Sequence, residues 1–335
     1  MKRITSLMNN ASHEEIRQLF NHADRILLAS HVRPDGDAIG SLLGLGLSLE
    51  DAGKEVVMVL SDGVTANFRF MSGYEKICTK VSDDKSFDLV ITLDASDPER
   101  IGNAIGNRNI DLNIDHHVTN LHFGKHNLVD PLATATSEIL AEHLESWGLK
   151  FTKPIAEALL TGLITDTIGF RTSNMSPKAL KLGAKLMEAG ANLPDLYNKS
   201  LIDRSYAQIN YWGYALEKME RKDRLVWTAL TLADRKMAGY NGNDDADLNT
   251  LLSSIAECDV TVLFVEQNNH HVKVSWRSKP GFNVSELAFS FNGGGHPAAA
   301  GADIEGTLEE VKKDVLEKTT GYLKKITKGK INNGN

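Results

Sequence analysis

The chain begins with a helical rhythm and then turns to short apolar runs. Ser12 and Glu15 have the spacing of a capping box ahead of "IRQLFNHA", which predicts a first helix. "RILLAS" (25–30) reads as a buried strand. After a polar loop, "AIGSLLGLGLSLEDAG" reads as a helix ended by Gly53. "EVVMVLS" (55–61) is another strand, so these segments form a βαβ unit. "FDLVITL" (87–93) and "NIDLNI" (109–114) are further strands, followed by Asp94 and by Asp115-His116-His117. "TATSEILAEHLESWG" and "PIAEALLTGLITDTIGF" read as helices, the second carrying Asp166. Short apolar strands alternating with helices predict an α/β fold: a parallel sheet with helices on both faces.

From about residue 175 to 220 the pattern is helical, and from about 222 it changes. "DRLVWTALT" (223–231) reads as a strand, and 260–278 as a hairpin turned at Asn268–Asn269. "NTLLSSIAE" reads as a helix after an acidic loop, and "LEEVKKDVLEKTTGYLKKI" as a last amphipathic helix. The expected division is a first α/β domain over 1–200, a helical connector over 201–221, and a smaller α/β domain over 222–330.

Composition narrows the class without changing this picture. The 335 residues suit two domains. No apolar run approaches the ~18 residues of a membrane span. The opening "MKRITSLMNNASHEE" has no apolar signal core. Cys78 and Cys258 stand far apart, which fits a reducing cytoplasm and excludes a thiolate metal site. The net charge of −7 and the lack of a long basic block favour a small anionic substrate over long duplex DNA. "KKITKGK" near the C-terminus reads as a solvated tail.

Parallel sheets bind ligands at the carboxyl ends of their strands. Three strands end there in acid or imidazole groups: His31, Asp35 and Asp37 in "SHVRPDGDAIGS", then Asp94, then residues 115–117. Of these, His31, Asp35, Asp37, Asp94 and His116, together with Asp166, offer four carboxylates and two imidazoles. Four such carboxylates repel one another unless cations join them. Two divalent ions cancel the charge, and a mixed oxygen and imidazole set without thiolate suits manganese. Magnesium fits two histidines less well. Two ions about 3.5–4 Å apart clamp the attacking and leaving oxygens of a phosphoryl transfer and acidify a water between them.

The same residues carry a family resemblance. "HVRPDGDAIGS", "LDASD", "IDHH" and "ITDTIGFR" resemble the four motifs of the DHH phosphoesterases, and "NGGGHPAAAGA" (292–302) resembles the glycine-rich motif of the associated DHHA1 domain. The motifs span nearly the whole chain in family order. They look most like the bacterial oligoribonuclease (nanoRNase) and 3′-phosphoadenosine 5′-phosphate phosphatase group. The resemblance implies a DHH domain joined to a substrate-binding DHHA1 domain, and two Mn²⁺ ions, with Mg²⁺ or Co²⁺ as replacements. It assigns His31, Asp35 and Asp94 to one ion, and Asp37, Asp94, His116 and Asp166 to the other. His117 then faces the scissile phosphate, and Asp115 orients a ligand histidine from behind. In the second domain Gly294, Gly295, His296 and Arg277 become substrate contacts, and Arg171 a further phosphate contact. The implied substrates are short RNA or DNA oligonucleotides and small phosphorylated nucleotides, in the cytoplasm and away from membranes. A homodimer is an open option.

Other features have plainer readings. His13, His22, His122, His126, His143, His270 and His271 are read as ordinary surface positions. The glycines of "SLLGLGLSL" are read as close helix packing, since their spacing is not a dinucleotide fingerprint. Trp212 and Tyr214 are read as core rather than a base-stacking platform. Two rival functions are a phosphodiesterase for linear or cyclic dinucleotide signals and a non-catalytic nucleotide-binding regulator.

Overall fold

The computed structural model describes residues 10–332, with side chains through 326. Residues 1–9 of the opening read for a signal sequence lie outside the described residues. The chain divides into two units, Met1–Asp203 and Arg204–Asn335.

In the first unit, α1 (His13–His22) starts with the expected reciprocal cap between Ser12 and Glu15. The sheet comprises β1 (Arg25–Ala29), β2 (Glu55–Val59), β3 (Ile77–Cys78), β4 (Leu89–Leu93), β5 (Leu112–Asp115) and β6 (His126–Val129). Its order is β3-β2-β1-β4-β5-β6, and every pairing is parallel. Strands β3 and β6 were not predicted. Both lie at sheet edges, and "IC" and "HNLV" are too short to show a period.

Helix α2 (Gly36–Asp51) lies between β1 and β2, and α3 (Thr136–His143), α4 (Lys153–Asp166), α5 (Pro177–Glu188) and a short α6 (Leu193–Tyr197) follow β6. Together with α1 they bury Ile16, Leu42, Ile139, Trp147 and Leu163 in one core with Ile26, Leu28 and Ile91 of the sheet. Leu27, Ala29 and Val90 point the other way, against Ile101, Ala104 and Ile105, which a 3-10 turn at Pro98–Ile101 brings over the sheet. Helix α2 is buried nearly all round because its glycines let α4 approach. A Cβ on Gly40 would lie 2.5 Å from the Ala158 carbonyl oxygen, a Cβ on Gly44 would overlap the Leu159 side chain of α4, and one on Gly46 would overlap Met58 of β2. This bears out the packing reading of "SLLGLGLSL".

The second unit holds α7 (Tyr206–Glu217), α8 (Leu232–Ala238), α9 (Leu248–Leu252), α10 (Ser285–Phe289) and α11 (Leu308–Asn332). Its strands are β7 (Glu220–Lys222), β8 (Leu225–Leu230), β9 (Val260–Gln267), β10 (His271–Ser278), β11 (Gly294–His296) and β12 (Ala299–Glu305), in the order β11-β12-β10-β9-β8-β7. Strands β8 and β9 run parallel and the other neighbours antiparallel. Trp276 is fully buried against α11, its Nε1 donating to Thr319 Oγ1 at 3.1 Å. The other sheet face packs Leu263 and Val265 against Tyr211, Leu248 and Leu252. Trp212 joins this core, its Nε1 donating to the Ala246 carbonyl, as its core reading expected.

Two sequence expectations need correction here. Gln267 pairs with His271, so the hairpin loop spans three residues, with Asn269 and His270 both at positive φ, rather than turning at Asn268–Asn269. The last helix continues to Asn332, so the backbone of "KKITKGK" is helical rather than a loose tail.

Candidate metal centre

The site is built where β1, β4 and β5 end. After β1 the chain turns through His31 into Asp35, which caps α2. Its carboxylate accepts from the backbone N–H groups of Asp37 and Ala38. The cap sets Asp37 in the first turn of α2, facing inward and 1% exposed. Asp94 follows β4 in the left-handed region, with φ 55, and is 2% exposed. Its N–H donates to the Ile114 carbonyl at 3.0 Å, prolonging the β4–β5 ladder by one bond. Asp115 is the last residue of β5 and fully buried, and His116 and His117 follow it. Asp166 ends α4.

These residues converge. His31 Nε2 lies 3.4 Å from Asp94 Oδ2 and 3.9 Å from Asp35 Oδ1. His116 Nε2 lies 3.6 Å from Asp94 Oδ1 and 3.6 Å from Asp166 Oδ2. Among the described residues, three overlapping trios each have ligand atoms within 4.8 Å of one another: His31–Asp35–Asp94, Asp37–His116–Asp166 and Asp94–His116–His117. Two ligands on one ion at about 2.1 Å stand roughly 3–4 Å apart, so these separations suit a coordination shell. The imidazoles are set for it. His31 Nδ1 lies 2.8 Å from the Val32 carbonyl oxygen and must carry the proton there, which leaves the Nε2 lone pair facing the carboxylates. His116 Nδ1 faces the Ala133 carbonyl oxygen at 3.4 Å in the same sense.

The electrostatics ask for cations. Burial pushes the Asp94 carboxyl well above its ordinary range, and the carboxylates of Asp37, Asp35 and Asp115 push it further. Burial, then Asp37 and Asp35, raises Asp166 to about 8. Divalent ions would reverse both effects, so the donor set fits the metal that its chemistry implies.

His117 behaves differently. Its Nδ1 donates to Asp115 Oδ1 at 2.7 Å. That hydrogen bond, against the opposing effect of burial, raises His117 to about 9. Asp115 is itself held low: burial pushes it up, but the bonds from His117 and Asn120 outweigh that. The partners of Asp115 are therefore the His117 imidazole and, at 2.8 Å, the His116 backbone N–H.

Several supporting residues were missed. Asn120 Nδ2 donates to Asp115 Oδ2 at 2.6 Å and to Asn113 Oδ1 at 2.9 Å, locking the carboxylate that holds His117. The N-terminus of α3 reaches into the site. The N–H groups of Thr136 and Ser137 donate to Asp37 at 2.6 and 3.0 Å, and Thr136 Oγ1 donates to Asp94 at 3.0 Å. The three hydroxyl residues of "TATS" at the start of an apolar helix were the available signal. The guanidinium of Arg100 lies close enough to oppose the charge on His117.

The remaining expected contacts fall in both units, and in the second unit Arg277 and His296 flank Ala299 on neighbouring strands. Arg171 is exposed beyond α4, with no ion pair among the described residues. In the second unit, Arg277 is half-buried on β10 and its Nη1 donates to the Trp276 carbonyl at 3.0 Å. Gly294, Gly295 and His296 form β11, an exposed edge strand. Gly295 has φ 139, and a Cβ there would meet Ala300 Cα at 2.5 Å, so its glycine is explained by pairing. A Cβ on Gly294 would meet nothing within 4 Å.

A carboxylate and imidazole cluster at the carboxyl edge of a parallel sheet is a donor set that could hold divalent metal. The model of the DHH family N-terminal domain matches residues 25–163, and that of the DHHA1 domain matches 232–325. A Thermus thermophilus protein named bifunctional oligoribonuclease and PAP phosphatase NrnA is 32% identical over 89% of this chain and 92% of its own length. The chain therefore belongs to the DHH family of phosphoesterases. A Bacillus subtilis protein of the same name is 28% identical over 84% of this chain and 90% of its own. The solved structure of an exopolyphosphatase-related protein from Bacteroides fragilis superposes with a TM-score of 0.83, at 28% identity, covering 93% of this chain and 97% of that one. Among the described residues, no helix is long and apolar enough to cross a membrane.

Proposed function

We propose that the chain is a manganese-dependent phosphohydrolase of short oligonucleotides that also removes the 3′-phosphate of 3′-phosphoadenosine 5′-phosphate. The observation that carries this reading is Asp94, shared between a His31–Asp35 group and a group containing His116, with Asp37 and Asp166 beside it. His31, Asp35 and Asp94 would hold one ion, and Asp37, Asp94, His116 and Asp166 the second. When bound, such ions polarise phosphoryl oxygens and acidify water.

The chain's own residues supply the rest. His117, protonated through Asp115, presents positive charge beside Asp94 and stabilises the charge that builds on the scissile phosphate. Asn120 holds Asp115 so that His117 keeps its orientation. The second unit would select the end of a short strand through Arg277 and the open backbone at Gly294. The names of the Thermus and Bacillus relatives support this substrate class.

The test is a substrate panel with manganese: 3′-phosphoadenosine 5′-phosphate, linear and cyclic dinucleotides, a 24-mer and pyrophosphate. Turnover of the bisphosphate and the linear dinucleotide should exceed that of the other substrates. Preference for the 24-mer or pyrophosphate would refute the reading. A dominant cyclic dinucleotide activity would favour a signalling phosphodiesterase, and binding without turnover a regulator. Asp94→Ala should lose metal and nearly all hydrolysis, and wild-type activity in that variant would rule out the shared-ligand role.

A further inference from the structure

Behind the centre lies an ion pair that touches none of the proposed ligands. Glu138 stands in the first turn of α3 and is fully buried. Its Oε2 accepts from both the N–H and the Oγ1 of Thr134, each at 2.6 Å. Its Oε1 makes no hydrogen bond among the described residues, and Lys178 Nζ lies 3.4 Å away. Lys178 comes from α5, is 41% exposed, and also pairs with Glu142 at 2.7 Å. A buried carboxylate is costly unless a cation and hydrogen bonds accompany it. Thr134 Oγ1 and N–H alone could be satisfied by a neutral glutamine of the same shape, so fold stability does not by itself call for the charge.

The turn that Glu138 holds is the one that reaches the centre. Two residues beyond Thr134, the N–H groups of Thr136 and Ser137 hold Asp37, and Thr136 Oγ1 holds Asp94. The space around Asp37 is tight: a Cβ on Gly162 would come within 2.8 Å of Asp37 Oδ1. A shift of the 134–137 turn therefore moves both carboxylates. We infer that Lys178 and Glu138 are positioning residues for the metal centre, with Lys178 fixing Glu138, and Glu138 fixing the turn whose amides aim Asp37 and Asp94. The inference rests on the reading of these carboxylates as metal ligands.

Lys178 can be changed without opening the core, since its side chain is partly exposed. Lys178→Met should leave the fold intact by circular dichroism. It should weaken manganese binding, measured by titration calorimetry and by the manganese EPR signal, about tenfold or more, the scale typical of residues behind metal ligands. The loss should come from leaving Glu138 as an uncompensated buried charge. Lys178→Arg should therefore restore binding, and so should adding Glu138→Gln to Lys178→Met, because the double variant removes the fully buried charge, and the other carboxylates that Lys178 pairs with, Asp130 and Glu142, are partly exposed to solvent. If Lys178→Met binds manganese as the wild type does, or if the double variant binds no better than the single one, the inference is overturned. A wild-type protein that binds no divalent ion would instead sink the metal reading itself, so the two failures are distinguishable.

Discussion

Replacing Asp115 with Asn should take the charge off His117. In the folded chain the Asp115 hydrogen bond is the largest influence raising His117 to about 9, from an ordinary 6.5. Asp115 also attracts the imidazolium directly, and Asp94 adds a smaller attraction, while burial acts the other way. Removing the Asp115 charge leaves burial larger than the pull of Asp94, so His117 should titrate at or below its ordinary value. The gap between about 9 and 6.5 corresponds to about 3 kcal/mol favouring the imidazolium. His117 is 34% exposed, so solvent screening reduces this to about 1–2 kcal/mol of stability. The sign is fixed by linkage: the stabilisation is complete below about 6.5 and is lost as pH rises through about 9. The measurement is an NMR titration of the His117 Cε1–H in metal-free protein, wild type against Asp115→Asn. A wild-type midpoint near 6.5, or a midpoint that the substitution leaves in place, would refute the assigned role of Asp115.

Asp94→Asn should stabilise the metal-free protein by a few degrees in Tm, because it removes the most strained charge in the cluster. Saturating manganese should then raise the wild-type Tm by about 5–10 °C and leave the variant nearly unmoved, and equal shifts in both would count against metal binding at Asp94. His143 is held down to about 4, first by burial and then by the neighbouring His13, whose ring lies 3.9 Å from its own. Its contribution is present above pH 6.5 and lost as pH falls toward 4. Urea unfolding should therefore show His143→Gln losing less stability than the wild type, by up to about 3 kcal/mol, between pH 7 and 4. Gly162→Ala would place a methyl 2.8 Å from Asp37 Oδ1 and 2.7 Å from Ser137 Oγ. Calorimetry should show manganese affinity at least tenfold weaker in that variant, with helical content retained, and unchanged affinity would mean that Asp37 is not a ligand.

The convergence of His31, Asp35, Asp37, Asp94, His116 and Asp166 was legible because strands are recognised by their apolar runs, and parallel sheets bring the residues after those runs to one edge. What was not legible depends on contacts made across the fold. His13 and His143 were read as ordinary surface histidines; His13 is exposed, but its ring lies 3.9 Å from that of the half-buried His143, tilted by 31°, and Trp147 Nε1 donates to His13. The residues are 130 positions apart in the chain, and no periodicity links them. Thr136 and Ser137 hold Asp37 through backbone amides, which any residue there has, so only the Thr136 hydroxyl on Asp94 leaves a trace in the sequence. The hairpin loop escaped for a related reason. Whether "NNH" turns in two residues or three is decided by the register of the flanking strands, which buried residues such as Val272 and Phe264 set.

Asp94 shows why the fold accepts such a site. It combines a backbone in the left-handed region, near-complete burial and three neighbouring carboxylates, each unfavourable in the bare chain. Its place is nonetheless over-determined. The strand before it is buried along its whole length, its N–H extends the ladder to β5, and Thr136 Oγ1 pins its carboxylate. The strain cannot relax without unpairing a central strand, so the carboxylate stays aimed at the same point with or without a cation. The cost falls on the metal-free fold, while the ordering needed to bind a cation is already complete. A site assembled in this way owes its affinity to donors placed in advance rather than to movement on binding.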